Sequence, residues 1–211
     1  MDGDLCNLKG VKSFAILGGT FDPVHNGHIS VAKEILKNTD VERILLIPSG
    51  VPPHKKAEEV TKAKIRMEML NVALENEENM VISSIEIERK GLTYTVDTIA
   101  QLKEKLGEGV KFKFILGADA LDYISSWKDY KRVLKMCSFI AVARPGYDKD
   151  ALIKRISSME NSMDCHIEFV SVTPVDISSS QIREWVREDK NINDLVPIEV
   201  AKYIEINGLY K

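Results

Sequence analysis

The chain has 211 residues, 44% of them hydrophobic, which is enough for one domain with a sizeable core. Its formal net charge is −3 with both signs mixed along the sequence, which argues against a nonspecific nucleic-acid binder. No apolar run approaches the roughly 18–20 residues of a membrane span. The acidic start MDGDLCNLKG lacks the basic-then-apolar order of a signal peptide, so a cytoplasmic protein without membrane or nucleic-acid partners is expected. Three cysteines, Cys6, Cys137 and Cys165, show no CxxC spacing and suggest neither a disulfide framework nor a zinc site. Cys137 sits in an apolar run and reads as a small core residue.

In chain order, residues 1–11 stand outside any pattern and are expected to be a flexible lead to a domain over 12–211. Short apolar runs then alternate with amphipathic stretches. Strands are expected at KSFAIL (12–17), ERILLI (42–47), MVISSIEI (80–87), KFKFIL (111–116), SFIAVA (138–143) and HIEFV (166–170). Between the early strands, Ile29, Ala32, Ile35 and Leu36 form one helical face, Ile65, Met69, Leu70 and Ala73 a second, and Val96, Ile99, Leu102 and Leu106 a third. SSQIREWVRE and PIEVAKYIEI add two C-terminal helices, with Pro197 suited to a first turn. The alternation predicts an α/β domain with a Rossmann-like, doubly wound, mostly parallel sheet and C-terminal helices. In a strand order 3-2-1-4-5, the first and fourth strands flank the reversal, where ligands bind. The loop GGTFDPVHNGH (18–28) follows the first strand and LGADAL (116–121) follows the fourth.

The first of these loops carries the chemistry. Gly18 and Gly19 leave the backbone bare for a phosphate to approach, Thr20 adds a hydroxyl, and Asp22-Pro23 reads as a turn. His25 and His28 stand near the start of a helix, whose N-terminus favours anions. Their spacing is compatible with a metal, but a local third ligand is missing. Two isolated histidines would ordinarily be surface or core residues. Set in a glycine-rich strand-to-helix loop, they read better as N–H donors to a polyphosphate that gains charge in a transition state.

The pattern T-x-D-x-x-H-x-G-H resembles the HxGH nucleotidyltransferase superfamily, and GGTFDPVHNGHI resembles bacterial nicotinate-nucleotide adenylyltransferases. Other segments resemble the same family in the same order: IPSGVPPHKK (47–56), IERKGLTYTVDTI (87–99), FILGADALDYISSWKDY (114–130), VARPG (142–146), ISSSQIR (177–183) and the ending GLYK. The resemblance implies that Gly18, Gly19, Thr20, Phe21, His25, His28, Ser179, Ser180 and Arg183 bind ATP. It implies that Lys55, Tyr94, Thr95, Asp119, Trp127 and Arg144 bind nicotinate mononucleotide, with Trp127 on the pyridine ring and Asp119 on sugar hydroxyls. Some positions have a plainer alternative. The Lys55-Lys56 pair suits a solvated loop, Thr95 or the serine run suits helix capping, Asp97 suits dipole compensation, and Trp127 suits core packing.

The expected reaction is transfer of AMP from ATP to nicotinate mononucleotide, giving deamido-NAD and pyrophosphate, with His25, His28, Lys55 and Arg183 as catalytic residues. Mg²⁺ is expected to ride on the ATP phosphates, with no metal held directly by the protein. A phosphopantetheine adenylyltransferase is disfavoured by the PPHK and TYTVDT segments. A regulatory nucleotide-binding module is disfavoured by retention of the histidines, Lys55 and Arg183. A tRNA synthetase lacks room for a tRNA-binding domain. Monomer and homo-oligomer both stay open.

Overall fold

The structure is a computed structural model that describes residues 3–51, 60–107, 109–143, 148–173 and 175–211. Its centre is one sheet of β1 (Phe14–Gly19), β2 (Arg43–Pro48), β3 (Met80–Ile82), β4 (Phe112–Gly117), β5 (Ser138–Val142) and β6 (Ile167–Val170). The order is β3-β2-β1-β4-β5-β6 and every pairing is parallel, which meets the expectation of a doubly wound sheet.

Alternating strand residues build two cores, one on each face. Phe14, Ile16, Leu45 and Ile47 face one side, where they pack with α3 (Thr95–Leu106), α5 (Tyr130–Met136) and α6 (Lys149–Ser162). Ala15, Leu17, Ile44 and Leu46 face the other, with α1 (Asn26–Asn38), α2 (Ala63–Ala73), α7 (Ser179–Arg187) and α8 (Ile198–Ile206). The three helical faces read between the early strands supply these contacts: Ile29, Ala32 and Ile35, then Met69 and Leu70, then Val96, Ile99 and Leu102 are all buried. Cys137 packs half-buried against the first core, and burial pushes its thiol up to about 12, in keeping with a packing role.

Three expectations are corrected. Residues 3–8 are not a detached lead: Gly3–Leu8 winds into a 3-10 helix that buries Leu5 and Leu8. In a 3-10 helix i and i+3 eclipse, so these two leucines share one face and dock it on the core. The third strand is three residues long rather than eight, because Ser83 Oγ accepts the Ile85 N–H at 3.4 Å and bends the chain out of the sheet. LGADAL is not an open loop, since Ala118–Asp122 forms the short helix α4 directly on leaving β4.

The helices between β4 and β6 were not anticipated. α5 is short, and α6 is strongly polar, with Leu152, Ile156 and Met159 as its buried residues. No helix among the described residues is long and apolar enough to cross a membrane.

Candidate active site

The crevice opens at the reversal because two ladders end at different heights. β1 pairs with β2 as far as Gly19 and Pro48, but with β4 only as far as Ile16 and Phe114. Above that point the carboxyl ends of β1 and β4 part. The bare backbone there is filled by rings: a Cβ on Gly18 would sit 3.3 Å from Phe114, and one on Gly19 would sit 3.0 Å from Phe21.

Two cavities flank this point and share Gly18, Ile115 and Gly117 as walls. The larger, about 410 Å³, is lined by Gly18, Thr20, Phe21, His25 and His28 from the first loop and by Ser178, Ser179, Ser180 and Arg183 from α7. The smaller, about 270 Å³, is walled by Gly19, Ser49, Glu86, Thr93, Thr95 and Trp127 among others. A third hollow of about 450 Å³ lies among the C-terminal helices, between Val186 and Lys211, and shares none of these residues.

In the first loop Phe21 adopts a left-handed backbone with φ of 51°, and the Asp22-Pro23 peptide is cis. His25 is the N-cap of α1 and is 7% exposed, while His28 lies half-buried one turn on. Their rings stack with centroids 3.7 Å apart, and the Phe21 ring meets His28 edge-on at 4.9 Å. A Cβ on Gly27 would sit 3.0 Å from Nδ1 of His25, so the glycine between the histidines leaves room for the ring.

On the opposite wall, Ser178 rather than Ser179 or Ser180 caps α7, accepting the Gln181 N–H at 3.2 Å. That leaves the next two hydroxyls to other partners. Ser179 donates to the Pro23 carbonyl at 2.9 Å, and Ser180 accepts from Arg183 at 3.3 Å. Arg183 also donates to the Asp22 carbonyl at 2.7 Å. α1 and α7 thus both begin at the larger cavity, with no acidic residue in either first turn, and their N-termini favour an anion between them.

The residues assigned to the second substrate are only partly gathered. Thr95 and Trp127 wall the smaller cavity, and Trp127 stands edge-on to Phe114 at 6.3 Å. Thr95 is the first residue of α3 rather than its cap, since Tyr94 holds the N-cap position. Tyr94 lies beside the cavity rather than in its wall, with the Lys128 ammonium 4.4 Å over its ring; Lys128 also pairs with Asp97 at 3.3 Å. Asp119 is exposed on α4, where its carboxylate would crowd a Cβ on Gly117 at 2.9 Å. Lys55 and Arg144 lie outside the described residues.

Several residues at the site carried no signal in the sequence. Arg66 is 1% exposed, and its guanidinium donates to the carbonyls of Thr20 at 2.6 Å, Ser49 at 2.7 Å and Thr61 at 2.9 Å. Burial lowers its pKa, with Asp22, Tyr210 and Glu86 opposing that shift. In sequence it is a charged residue on an amphipathic helix, ordinarily a solvated one; its partners are up to 46 positions away. Glu86 accepts from Thr98 at 2.7 Å, and burial raises its pKa despite that bond and the nearby Arg89. Thr173, Val175 and Asp176, between β6 and α7, also line the larger cavity.

Residues 16–185 match the cytidylyltransferase-like family. The chain is 41% identical over 198 residues to a probable nicotinate-nucleotide adenylyltransferase of Clostridium botulinum (strain Kyoto / Type A2), covering 93% of this chain and 98% of that one. A counterpart from Clostridium novyi is 37% identical, over 95% and 100%. Among solved structures, the Plasmodium falciparum nicotinic acid mononucleotide adenylyltransferase complexed with NaAD superposes with a TM-score of 0.77 at 22% identity, over 94% and 97% of the two chains. At that identity the likeness speaks for the fold.

Proposed function

The chain belongs to the nicotinate-nucleotide adenylyltransferase family, within the cytidylyltransferase-like proteins, and from that premise we propose how its site works. The enzyme transfers AMP from ATP to nicotinate mononucleotide, giving deamido-NAD (nicotinate adenine dinucleotide) and pyrophosphate in NAD biosynthesis. The observation that carries the reading is the meeting of two cavities at Gly18, Ile115 and Gly117, one lined by the histidine pair and Arg183, the other by Trp127 and Thr95.

In this reading ATP takes the larger cavity and nicotinate mononucleotide the smaller. A phosphate oxygen of the mononucleotide attacks the α-phosphorus in line; the new O–P bond forms as the bond to the β-phosphate oxygen breaks, and the electron pair leaves on pyrophosphate. The attacking oxygen is already anionic near neutral pH, so no general base is needed. Holding two anions in line supplies roughly 7–11 kcal/mol of the barrier reduction. His25, His28, Arg183 and Lys55 supply the donors for charge that builds on the leaving group. Gly18, Gly19, Thr20, Phe21, Ser179 and Ser180 cradle the ATP. Tyr94, Thr95, Asp119, Trp127, Arg144 and Lys55 receive the mononucleotide.

Mg²⁺ would be carried on the ATP phosphates and would neutralise part of their charge. The imidazoles, hydroxyls and guanidinium facing the larger cavity suit phosphate oxygens, and both oxygens of Asp22 are already taken by Thr61 and Tyr210. Among the described residues no three His, Cys, Asp or Glu side chains converge to hold a metal ion. Phosphates and water would then complete the shell, as Mg²⁺ commonly arranges. The chain serves as one nucleotidyltransferase domain, with Leu5 and Leu8 packed into its core, acting in the cytoplasm on small molecules.

The test is a paired assay with ATP, Mg²⁺ and either nicotinate or nicotinamide mononucleotide, following pyrophosphate and dinucleotide. Deamido-NAD should form with the higher kcat/KM for the nicotinate substrate. Absence of any dinucleotide product would overturn the reading, and equal kcat/KM values would remove its preference for the acid.

A further inference from the structure

The C-terminal end of the chain returns to the phosphate loop. Gly208, with φ of 58°, turns the chain after α8, and the Leu209 N–H reaches back to the Ile204 carbonyl at 3.0 Å. Tyr210 follows with φ of 65°, an unfavourable conformation for a residue with a large side chain, which persists only where the surroundings hold it. Its hydroxyl donates to Asp22 Oδ1 at 2.7 Å, across 188 positions of sequence.

Asp22 is 3% exposed and joins four segments. Its second carboxylate oxygen accepts the Thr61 N–H at 3.1 Å, ahead of α2. Its carbonyl accepts from Arg183 at 2.7 Å, on α7. The residue before it, Phe21, also has a left-handed backbone, and its ring lies against His28. Arg66 fastens the same region from below through Thr20 and Thr61.

We propose that Tyr210 is a positioning residue for adenylyl transfer: its hydroxyl fixes Asp22, and through Asp22 both the loop bearing His25 and His28 and the carbonyl that aims Arg183. The inference rests on the reading given under Proposed function. Burial and the neighbouring Asp22 carboxylate push the phenol pKa of Tyr210 up, so the hydroxyl stays a donor across the neutral range. Tyr203 provides an internal comparison. It makes a tyrosine–carboxylate bond to Glu68 and ties α8 to α2 without touching the phosphate loop.

The experiment uses the full chain as Tyr210→Phe and Tyr203→Phe, assayed with ATP, Mg²⁺ and nicotinate mononucleotide beside a thermal unfolding scan. Tyr210→Phe is expected to lower kcat about tenfold or more while the KM for the mononucleotide moves less than about twofold, as for a displaced catalytic group. Tyr203→Phe should retain wild-type kcat. Wild-type kcat in Tyr210→Phe, or equal losses in the two variants, would overturn the proposal. Should Tyr210→Phe be unfolded at the assay temperature, the comparison is made at a lower temperature where the scan shows it folded, with the same expected split of kcat from KM and the same overturning result. Calorimetric titration with ATP separates this proposal from the functional reading. If the wild type makes no dinucleotide, that reading fails alone, and the positioning role then stands or falls on a loss of ATP affinity of about threefold or more in Tyr210→Phe.

Discussion

The backbone N–H of His25 donates to Nδ1 of His28 at 3.3 Å, while the two imidazoles stack 29° from parallel. A neutral imidazole whose Nδ1 accepts a hydrogen bond carries its proton on Nε2. The cap of α1 therefore sets His28 as an N–H donor, with Phe21 against its ring. The same bond that starts the helix orients the group proposed to meet the leaving phosphate.

Replacement of that donor should act on turnover. His28→Ala is expected to lower kcat by about 10²–10³, the effect of losing one transition-state donor. Pyrophosphate release under saturating ATP and mononucleotide measures it. Near-wild-type turnover would remove His28 from the chemistry.

Gly27→Ala separates packing from stability. Alanine is favoured over glycine inside a helix by roughly 0.5–1 kcal/mol. The added methyl would nevertheless stand 3.0 Å from Nδ1 and 3.1 Å from Cε1 of His25. The ring must yield, so kcat should fall about tenfold or more, while the unfolding midpoint stays close to wild type. A variant of unchanged kcat would show that the position of the His25 ring is not critical.

Trp127 is half-buried, edge-on to Phe114, and forms part of the wall of the smaller cavity. Trp127→Ala should raise the KM for nicotinate mononucleotide by about tenfold, roughly 1.4 kcal/mol, more than it raises that for ATP. Equal changes for both substrates would identify the indole as packing alone. Initial-rate kinetics with each substrate varied in turn distinguish the outcomes.

Glu86 gives a pH signature. Burial raises its folded-state pKa above the ordinary 4.5. Below 4.5 the carboxyl is protonated in both states; above it the unfolded chain releases the proton first, so stability falls as pH rises toward the folded value. Glu86→Gln lacks this titration. Its advantage over wild type in urea unfolding should grow as pH rises from 4.5 and level off above the folded pKa. A difference independent of pH would mean that Glu86 does not carry the shift.

Much of the architecture was legible because it is written in local periodicity. Six apolar runs became the six strands, and the buried faces of α1, α2 and α3 follow the helical spacing of their apolar residues. The elements that escaped were those whose apolar signal is thin, such as α6, or whose boundary depends on a side-chain bond, such as the Ser83 bend that ends β3. Leu5 and Leu8 were overlooked because two residues on one short face make no pattern until a core exists to receive them.

The sequence by itself determined which loop stands at the crevice with bare glycines, a hydroxyl and two imidazoles, because those residue types follow the first strand directly. Tertiary structure decided what holds that loop. Ser178 takes the cap so that Ser179 and Ser180 turn to Pro23 and Arg183. Arg66, an ordinary surface charge by sequence, is buried to bind the carbonyls of Thr20, Ser49 and Thr61. Tyr210 crosses the whole chain to Asp22. Backbone carbonyls and a carboxylate leave no periodic trace in a sequence, and such partners are defined only when the fold brings distant segments within a hydrogen bond of one another.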